Sequence, residues 1–181
     1  MNKQVLGKSL MGLGVLCLIL SGGLFFINEH ESDQAEKSAS HLVEQIHAQT
    51  TNPDQDLPAD VMGTISIPKA GVELPVFDHW NEELLRQGVC RYFGSIEEGN
   101  LVLAGHNYRS GFGCLGGLEP GDEVILSDRS GNQWVYVIQS SELLEPTQVK
   151  EMIESNAPLT LYTCTYDGSL RITLRCALKE N

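Results

Sequence analysis

The sequence predicts an all-β fold, a closed or nearly closed barrel built from seven or eight short strands. Strand-like segments follow one another throughout residues 61–181, and Gly, Pro, Asn or Asp separates them at short intervals. Many short strands with turn residues between them are typical of barrels and sandwiches. The predicted strands cover residues 63–68, 72–77, 101–104, 124–126, 134–138, 160–164 and 169–178.

The last two segments give the most specific local pattern. Asp167 and Gly168 lie between two alternating runs, which predicts a two-residue hairpin loop. In that register Cys164 lies directly opposite Arg171, so a thiol faces a guanidinium. Arg175 falls roughly 13 Å farther along the strand. Arg171 is therefore the geometric partner of the thiol.

Side-chain alternation supports this register, because opposed residues of antiparallel strands share one face of the sheet. A one-residue slip would turn both arginines toward the core. The predicted core face carries Leu159, Leu161, Thr163, Thr165, Leu170, Ile172, Leu174 and Cys176. The opposite face carries Thr160, Tyr162, Cys164, Arg171, Thr173 and Arg175.

Two short helices are expected between the strands. Residues 81–88 begin with Asn81, a good N-cap, and end at a glycine, while residues 146–153 begin with proline and carry apolar residues at helical spacing. The second helix comes just before the Cys164 strand. We expect it to form one wall of a groove that leads to the thiol.

The amino-terminal region predicts a membrane anchor in residues 1–28. Lys3 and Lys8 precede an apolar run over residues 10–27, which predicts a transmembrane helix with its N-terminus in the cytoplasm. A cleaved signal peptide is the alternative, and the small residues Ser21, Gly22 and Gly23 leave it open. The length of the run favours an uncleaved anchor. The barrel is then extracellular.

Residues 29–60 are predicted to form a polar stalk or linker with a possible short helix around Leu42, Val43 and Ile46. The remaining residues, 61–181, are the predicted catalytic barrel. The chain has a formal net charge of -12, with few and scattered basic residues. That balance excludes non-specific nucleic-acid binding, which needs a basic surface.

The five cysteines lack the spacing of a zinc site, so no metal or cofactor is predicted. Cys17 lies in the predicted anchor. Outside the cytoplasm disulfides persist, and Cys90 with Cys114 is one possible pair. Two ordinary buried thiols are an equally acceptable interpretation.

A nucleophilic thiol needs a raised thiolate fraction, a proton donor and a group that stabilises the oxyanion. An ordinary thiol is only about 3% ionised at pH 7. Arg171 can stabilise the thiolate or the oxyanion, but it cannot donate a proton. His106 is the best candidate acid, because it follows a buried strand at the point where a side chain reaches the barrel rim. Taken singly, each of these residues is more often structural.

Three segments together resemble the signature segments of bacterial sortases, in the order in which that family has them. They are residues 101–106 (LVLAGH), 160–164 (TLYTC) and 171–174 (RITL). Residues 63–68, 74–76 and 118–123 also resemble the sortase framework. The similarity spans residues 61–181.

This resemblance implies an eight-stranded β-barrel and a membrane-anchored extracellular cysteine transpeptidase. Such an enzyme cleaves an LPXTG-like sorting signal, holds the acyl fragment as a thioester on Cys164, and transfers it to an amine of a peptidoglycan cross-bridge or a pilin lysine. His106 would be the general acid and then the base, and Arg171 would stabilise the substrate carbonyl or the oxyanion. The family also credits Thr163 with a supporting hydrogen bond, although the predicted register turns Thr163 toward the core.

Two other functions remain open at this point. The chain lacks the motifs of papain-like proteases, caspases and L,D-transpeptidases, which disfavours another secreted thiol protease. A catalytically silent, membrane-tethered barrel that only binds a partner is the alternative from a different class. The sortase subclass is not fixed by these residues.

Overall fold

The computed structural model describes residues 3–51 and 57–180. The chain divides into two compact units, Met1–Gln34 and Ala35–Asn181. All the strands described below belong to the second unit.

Eight strands in the described residues form one closed barrel, as the sequence predicts. The strand order around it is β1-β2-β3-β4-β7-β8-β6-β5, and β5 pairs with β1 to close the ring. β7 is the central strand of a trio, because it pairs in parallel with β4 and antiparallel with β8. The strands are β1 Val61–Ile67, β2 Val72–Phe77, β3 Val89–Phe93, β4 Leu101–Gly105, β5 Glu123–Asp128, β6 Gln133–Leu144, β7 Leu159–Cys164 and β8 Arg171–Leu178.

The barrel interior is a single apolar cluster to which all eight strands contribute. Alternate residues of β4 and β7 point inward, and Leu101, Leu103, Leu159 and Leu161 are completely buried. A short 3₁₀ helix, Phe112–Gly117, inserts Phe112 and Leu115 into the same cluster. The sequence analysis does not predict this 3₁₀ helix.

The two short helices lie where the sequence predicts them. Helix α2 spans Glu82–Gln87, and the side chain of Asn81 caps it by accepting a hydrogen bond from the Leu84 backbone N–H at 2.8 Å. Helix α3 spans Val149–Ile153. Met152 of α3 packs with Val102 and Leu144 on the outer face of the barrel. The helix therefore borders the face that carries Cys164.

Helix α1 spans Lys3–Thr51, so residues 29–51 are helical where the sequence predicts a polar stalk with at most a short helix. Within the second unit, Ala39, Leu42 and Ile46 form a narrow buried stripe at helical spacing. Leu42 and Ile46 pack with Phe77 and Cys90 on the outside of β2 and β3.

Among the residues that the structure describes, no helix has a stretch long and apolar enough to cross a lipid bilayer. Part of the predicted anchor, namely residues 1–10, 24 and 26–28, lies outside the residues whose side chains are described.

The β7–β8 hairpin has the predicted register but a wider loop. Cys164 pairs with Arg171 and Thr160 pairs with Arg175. The predicted two-residue loop is wrong, because the tight turn runs from Thr165 to Gly168, where the Gly168 N–H donates to the Thr165 carbonyl at 2.9 Å. Gly168 has a φ of 74°, which suits glycine and places Ser169 inside the loop.

Candidate active site

Three neighbouring strands bring the candidate residues into one row at the end of the barrel. The last recorded pair of β4 and β7 joins Ala104 to Tyr162. Strand β4 itself ends at Gly105, and the same register continued two positions past this pair puts position 106 level with Cys164. Arg171 is directly opposite Cys164 on the other side. The line from the end of β4 across β7 to β8 crosses only three strands, and adjacent strands are about 4.8 Å apart.

Two hydrogen bonds fix the segment around His106 to the end of β7. The buried hydroxyl of Thr163 donates to the Gly105 carbonyl at 2.7 Å. The Asn107 side-chain amide donates to the Thr165 carbonyl at 3.2 Å. The residues immediately before and after His106 are therefore both tied to β7.

Thr163 satisfies both expectations of the sequence analysis. Its side chain points into the barrel, as the register predicts, and it is 1% exposed. It also makes a supporting hydrogen bond beside the site. Asn107 was not singled out from the sequence, although its place directly after His106 made it identifiable as a rim residue.

The guanidinium of Arg171 is held by its own loop. It donates to the Gly168 carbonyl at 3.1 Å and to the Leu170 carbonyl at 3.2 Å. The ion pairs recorded for residues 3–51 and 57–180 include no carboxylate partner of Arg171. Neutral carbonyls orient this group without cancelling its charge, so the charge remains available to a thiolate or an oxyanion.

Arg175, the second arginine of β8, is instead committed to helix α3. It donates to Glu142 at 2.7 Å, and the two groups form an ion pair. It also donates to the carbonyls of Glu151 and Met152 at 2.7 and 3.0 Å, and to the Thr160 hydroxyl at 3.0 Å. Four hydrogen bonds make Arg175 a structural clamp between β7, β8 and α3.

The imidazole of His106 is packed between α2 and the loop that follows β4. It stacks on Tyr108 with 4.8 Å between ring centroids and 28° between the planes. Nε2 is buried without a hydrogen-bond partner, and the nearest acidic group is Glu82 on α2, with Oε1 at 4.0 Å. Burial lowers the pKa of His106, and Glu82 partly opposes that effect.

All five cysteines are free thiols, which settles the alternative left open for Cys90 and Cys114. Burial raises the pKa of Cys90 to about 11 and that of Cys176 to about 12. Burial also raises the pKa of Cys114, whose thiol donates to the Gly111 carbonyl at 3.4 Å. These thiols are suited to packing. Cys164 is only half-buried and faces a cation.

The outer face behind Cys164 is partly apolar. Tyr162, two residues before Cys164 and on the same face, packs edge-on against Tyr92 of β3 with 5.4 Å between ring centroids. Burial raises the pKa of Tyr162 well above its usual range, so this phenol stays protonated. Helix α3 packs against Tyr162 from the other side. An extended ligand that approaches the thiol along this face would pass over Tyr162.

One group in the described part of the chain brings three metal-type ligand atoms together, from Asp60, Asp78 and His79, all within 4.8 Å of one another. His79 Nδ1 is already engaged by Asp78 at 2.5 Å. The group is partly exposed, and we assign it no ion.

Comparisons with known proteins identify the family to which the barrel belongs. The model of the Sortase domain family matches residues 65–179. Sortase A of Bacillus anthracis is 30% identical over 143 residues, and Sortase D of Bacillus subtilis is 28% identical over 141 residues. Each alignment covers 75% of this chain, and the aligned regions cover 66% and 64% of the two relatives, just under two thirds of their length.

A solved structure gives the same result for the fold. Sortase C of Clostridium perfringens, solved with the C-terminal cell wall sorting motif, aligns with a TM-score of 0.59 at 20% identity. The alignment covers 82% of this chain and 91% of that one.

Proposed function

This chain belongs to the sortase family of cysteine transpeptidases, and on that premise we propose that it cleaves an LPXTG-like sorting signal and transfers the acyl fragment to an amine. The observation that carries the proposal is the set formed by Cys164, which pairs with Arg171, and His106, whose two chain neighbours are hydrogen-bonded to Thr163 and Thr165. It combines a nucleophile, a titratable group and a permanent cation. The other cysteines of the barrel have no comparable surroundings.

In the first half-reaction the Cys164 thiolate attacks the carbonyl carbon of the scissile amide. The carbonyl oxygen becomes an oxyanion, which the guanidinium of Arg171 stabilises. The tetrahedral intermediate then collapses, the carbon–nitrogen bond breaks, and His106 donates its proton to the departing nitrogen. The products are a thioester on Cys164 and a free amine.

In the second half-reaction the acceptor amine attacks the thioester carbonyl. His106, now neutral, takes a proton from the attacking nitrogen as the new amide bond forms. The carbon–sulfur bond breaks, and the thiolate of Cys164 is regenerated beside the imidazolium. Arg171 stabilises the oxyanion of this step as it does in the first.

Thr163 supports both steps without touching the substrate. Its hydrogen bond to the Gly105 carbonyl fixes the residue before His106 relative to the residue before Cys164. A shift of about 1 Å between reacting groups can cost on the order of a hundredfold in rate.

The proposed substrates are surface proteins with an LPXTG-like sorting signal, and the proposed acceptors are a peptidoglycan cross-bridge or a pilin lysine. A related solved structure, sortase C of Clostridium perfringens, contains its C-terminal cell wall sorting motif, which supports a peptide ligand of this kind. We further propose attachment to the cell membrane with the barrel outside. That proposal rests on Lys3, Lys8 and the apolar run that follows them.

The test is a search for the ligated product. The protein is incubated with a library of LPXTG-like pentapeptides, with and without an oligoglycine or lysine amine, and the products are identified by mass spectrometry. We expect cleavage after the threonine and a new amide in the presence of the amine. Absence of cleavage and of ligation across the library would favour a catalytically silent binding barrel.

A further inference from the structure

We propose that Glu82 is a positioning residue for His106: its carboxylate orients the imidazole and increases the share of it that is protonated. The inference rests on the proposed function, because it concerns the proton that His106 delivers. It adds a residue from helix α2, which the signature segments of the sequence do not contain.

The position of Glu82 follows from local structure. Asn81 caps helix α2, so Glu82 is the first residue of the helix. A carboxylate is favourable in a first helical turn because of the helix dipole. The cap thus fixes the backbone of Glu82 at the start of α2, and the later residues Leu85, Arg86 and Gln87 of the same helix line the pocket beside His106.

The contact itself is specific to one ring nitrogen. Glu82 Oε1 lies 4.0 Å from Nε2 of His106, too far for a hydrogen bond but close enough for an ion pair. Nε2 is buried and has no hydrogen-bond partner. A buried polar atom without a partner is costly, and a small movement of the largely exposed Glu82 side chain would satisfy it. Nδ1 is then the nitrogen left to exchange a proton with the reaction.

The charged surroundings of His106 are few. Glu82 and Arg86 act on it from helix α2 with opposite sign, and Tyr108 stacks on it from its own loop. Helix α1 contributes two alanines, Ala35 and Ala39, to the lining of the same pocket, and neither carries a charge. The proposed reaction partners, Cys164 and Arg171, face each other on β7 and β8. Burial lowers the pKa of His106, and Glu82 is the acidic group that raises it.

The expected size follows from Coulomb's law. Two unit charges 4 Å apart in a water-like medium change an equilibrium by about fivefold. Because Glu82 is largely exposed, this lower limit is the appropriate one. Removing the charge therefore reduces the imidazolium form of His106 about fivefold at any pH above its pKa, and has no effect well below it.

The experiment compares Glu82→Gln with Glu83→Gln, a change of the same kind in the same helical turn. Acylation by an LPXTG-like peptide is measured from about pH 5, where glutamates are still ionised, to about pH 8. We expect Glu82→Gln to lose about fivefold in rate at the upper end and little at the lower end. Glu83→Gln should follow the wild type at both.

Arg86→Gln provides the opposite perturbation, because it removes the cation that lowers the pKa of His106. We expect its rate at high pH to rise. The pKa of His106, followed by NMR in each variant, should fall in Glu82→Gln and rise in Arg86→Gln. This titration needs no activity, so it tests the inference separately from the proposed function.

A folded Glu82→Gln variant with an unchanged His106 pKa and an unchanged pH profile would overturn the inference. A loss of equal size at every pH would also overturn it, since that is the behaviour of a purely structural residue. Failure of the wild type to form any acyl product would instead count against the proposed function alone.

Discussion

Replacing each arginine of β8 in turn should separate stability from chemistry. Arg175 makes four hydrogen bonds: two reach α3, one reaches the 12-residue strand β6 and one reaches β7. A hydrogen bond to a charged group contributes about 1.5–3 kcal/mol, and a surface ion pair contributes about 0–1 kcal/mol. The side chain of Glu142 is 42% exposed, so its share is small, and part of the lost bonding is replaced by water. Arg175→Ala should therefore lower the free energy of unfolding by about 3 kcal/mol.

Arg171 donates to two carbonyls of its own loop. Arg171→Ala should cost less than about 1 kcal/mol of unfolding free energy, because water replaces those bonds at an exposed loop. The same substitution should greatly lower the rate of the chemical step. Loss of one oxyanion-stabilising group typically lowers the rate by about 10²–10³-fold.

The assay combines thermal unfolding with single-turnover acylation by an LPXTG-like peptide, measured well below the melting temperature. For a domain of this size 3 kcal/mol corresponds to a fall in Tm of about 10 °C. For Arg175→Ala we expect that fall in Tm and an acylation rate within about tenfold of the wild-type rate. We expect the reverse pattern in Arg171→Ala. Equal rate losses in the two variants, or a larger loss in Arg175→Ala, would refute the assignment of roles.

Three further predictions follow from buried groups. Thr163→Val keeps the side-chain volume but leaves the Gly105 carbonyl unpaired, so urea unfolding should show a loss of about 1–3 kcal/mol, and an unchanged stability would contradict the role of this bond. Iodoacetamide at neutral pH should alkylate Cys164 well before Cys176, whose pKa burial raises to about 12, and equal rates would contradict the difference in access. Because burial lowers the pKa of His106, the unfolded chain binds a proton more readily, so stability should fall as the pH drops below about 6.5. His106→Gln should lose less stability than the wild type over that interval, and an equal loss would contradict it.

The register of the β7–β8 hairpin was predictable because two independent features constrain it. These are the alternation of apolar and polar side chains along the strands and the turn residues between them. A one-residue slip would exchange the two faces of the sheet, so the sequence alone pairs Cys164 with Arg171. The loop length was less constrained. The Asp167 side chain accepts hydrogen bonds from the Ser169 backbone N–H and from the Thr165 hydroxyl, and these bonds stabilise the wider loop. The dipeptide Asp167-Gly168 is compatible with both the two-residue loop and the wider one.

Strand β3, Val89–Phe93, was missed for a different reason. Val89 and Cys90 are both buried, because the barrel core covers one face of β3 and Leu42 and Ile46 of helix α1 cover the other. Alternation disappears when both faces of a strand are covered. The missing information lay in the docking of α1, a contact between distant parts of the chain.

The contact between His106 and Glu82 also depends on tertiary structure. Helix α2 was predicted from its cap, but its position beside the end of β4 follows from barrel closure, not from local sequence. The same holds for the hydrogen bond from Thr163 to Gly105, which joins strands far apart in the chain. The candidate reacting groups could be identified from residue type, whereas the residues that orient them could be identified only from the fold.

The most direct test of the central claim is to locate the acyl adduct. The wild type and the variants Cys164→Ala, Cys114→Ala and Cys176→Ala are incubated with an LPXTG-like peptide, and proteolytic fragments are mapped by mass spectrometry. The account predicts a thioester on the fragment that contains Cys164, present in the wild type and in the Cys114 and Cys176 variants, and released as an amide when an amine is added. An adduct that persists in Cys164→Ala would contradict it.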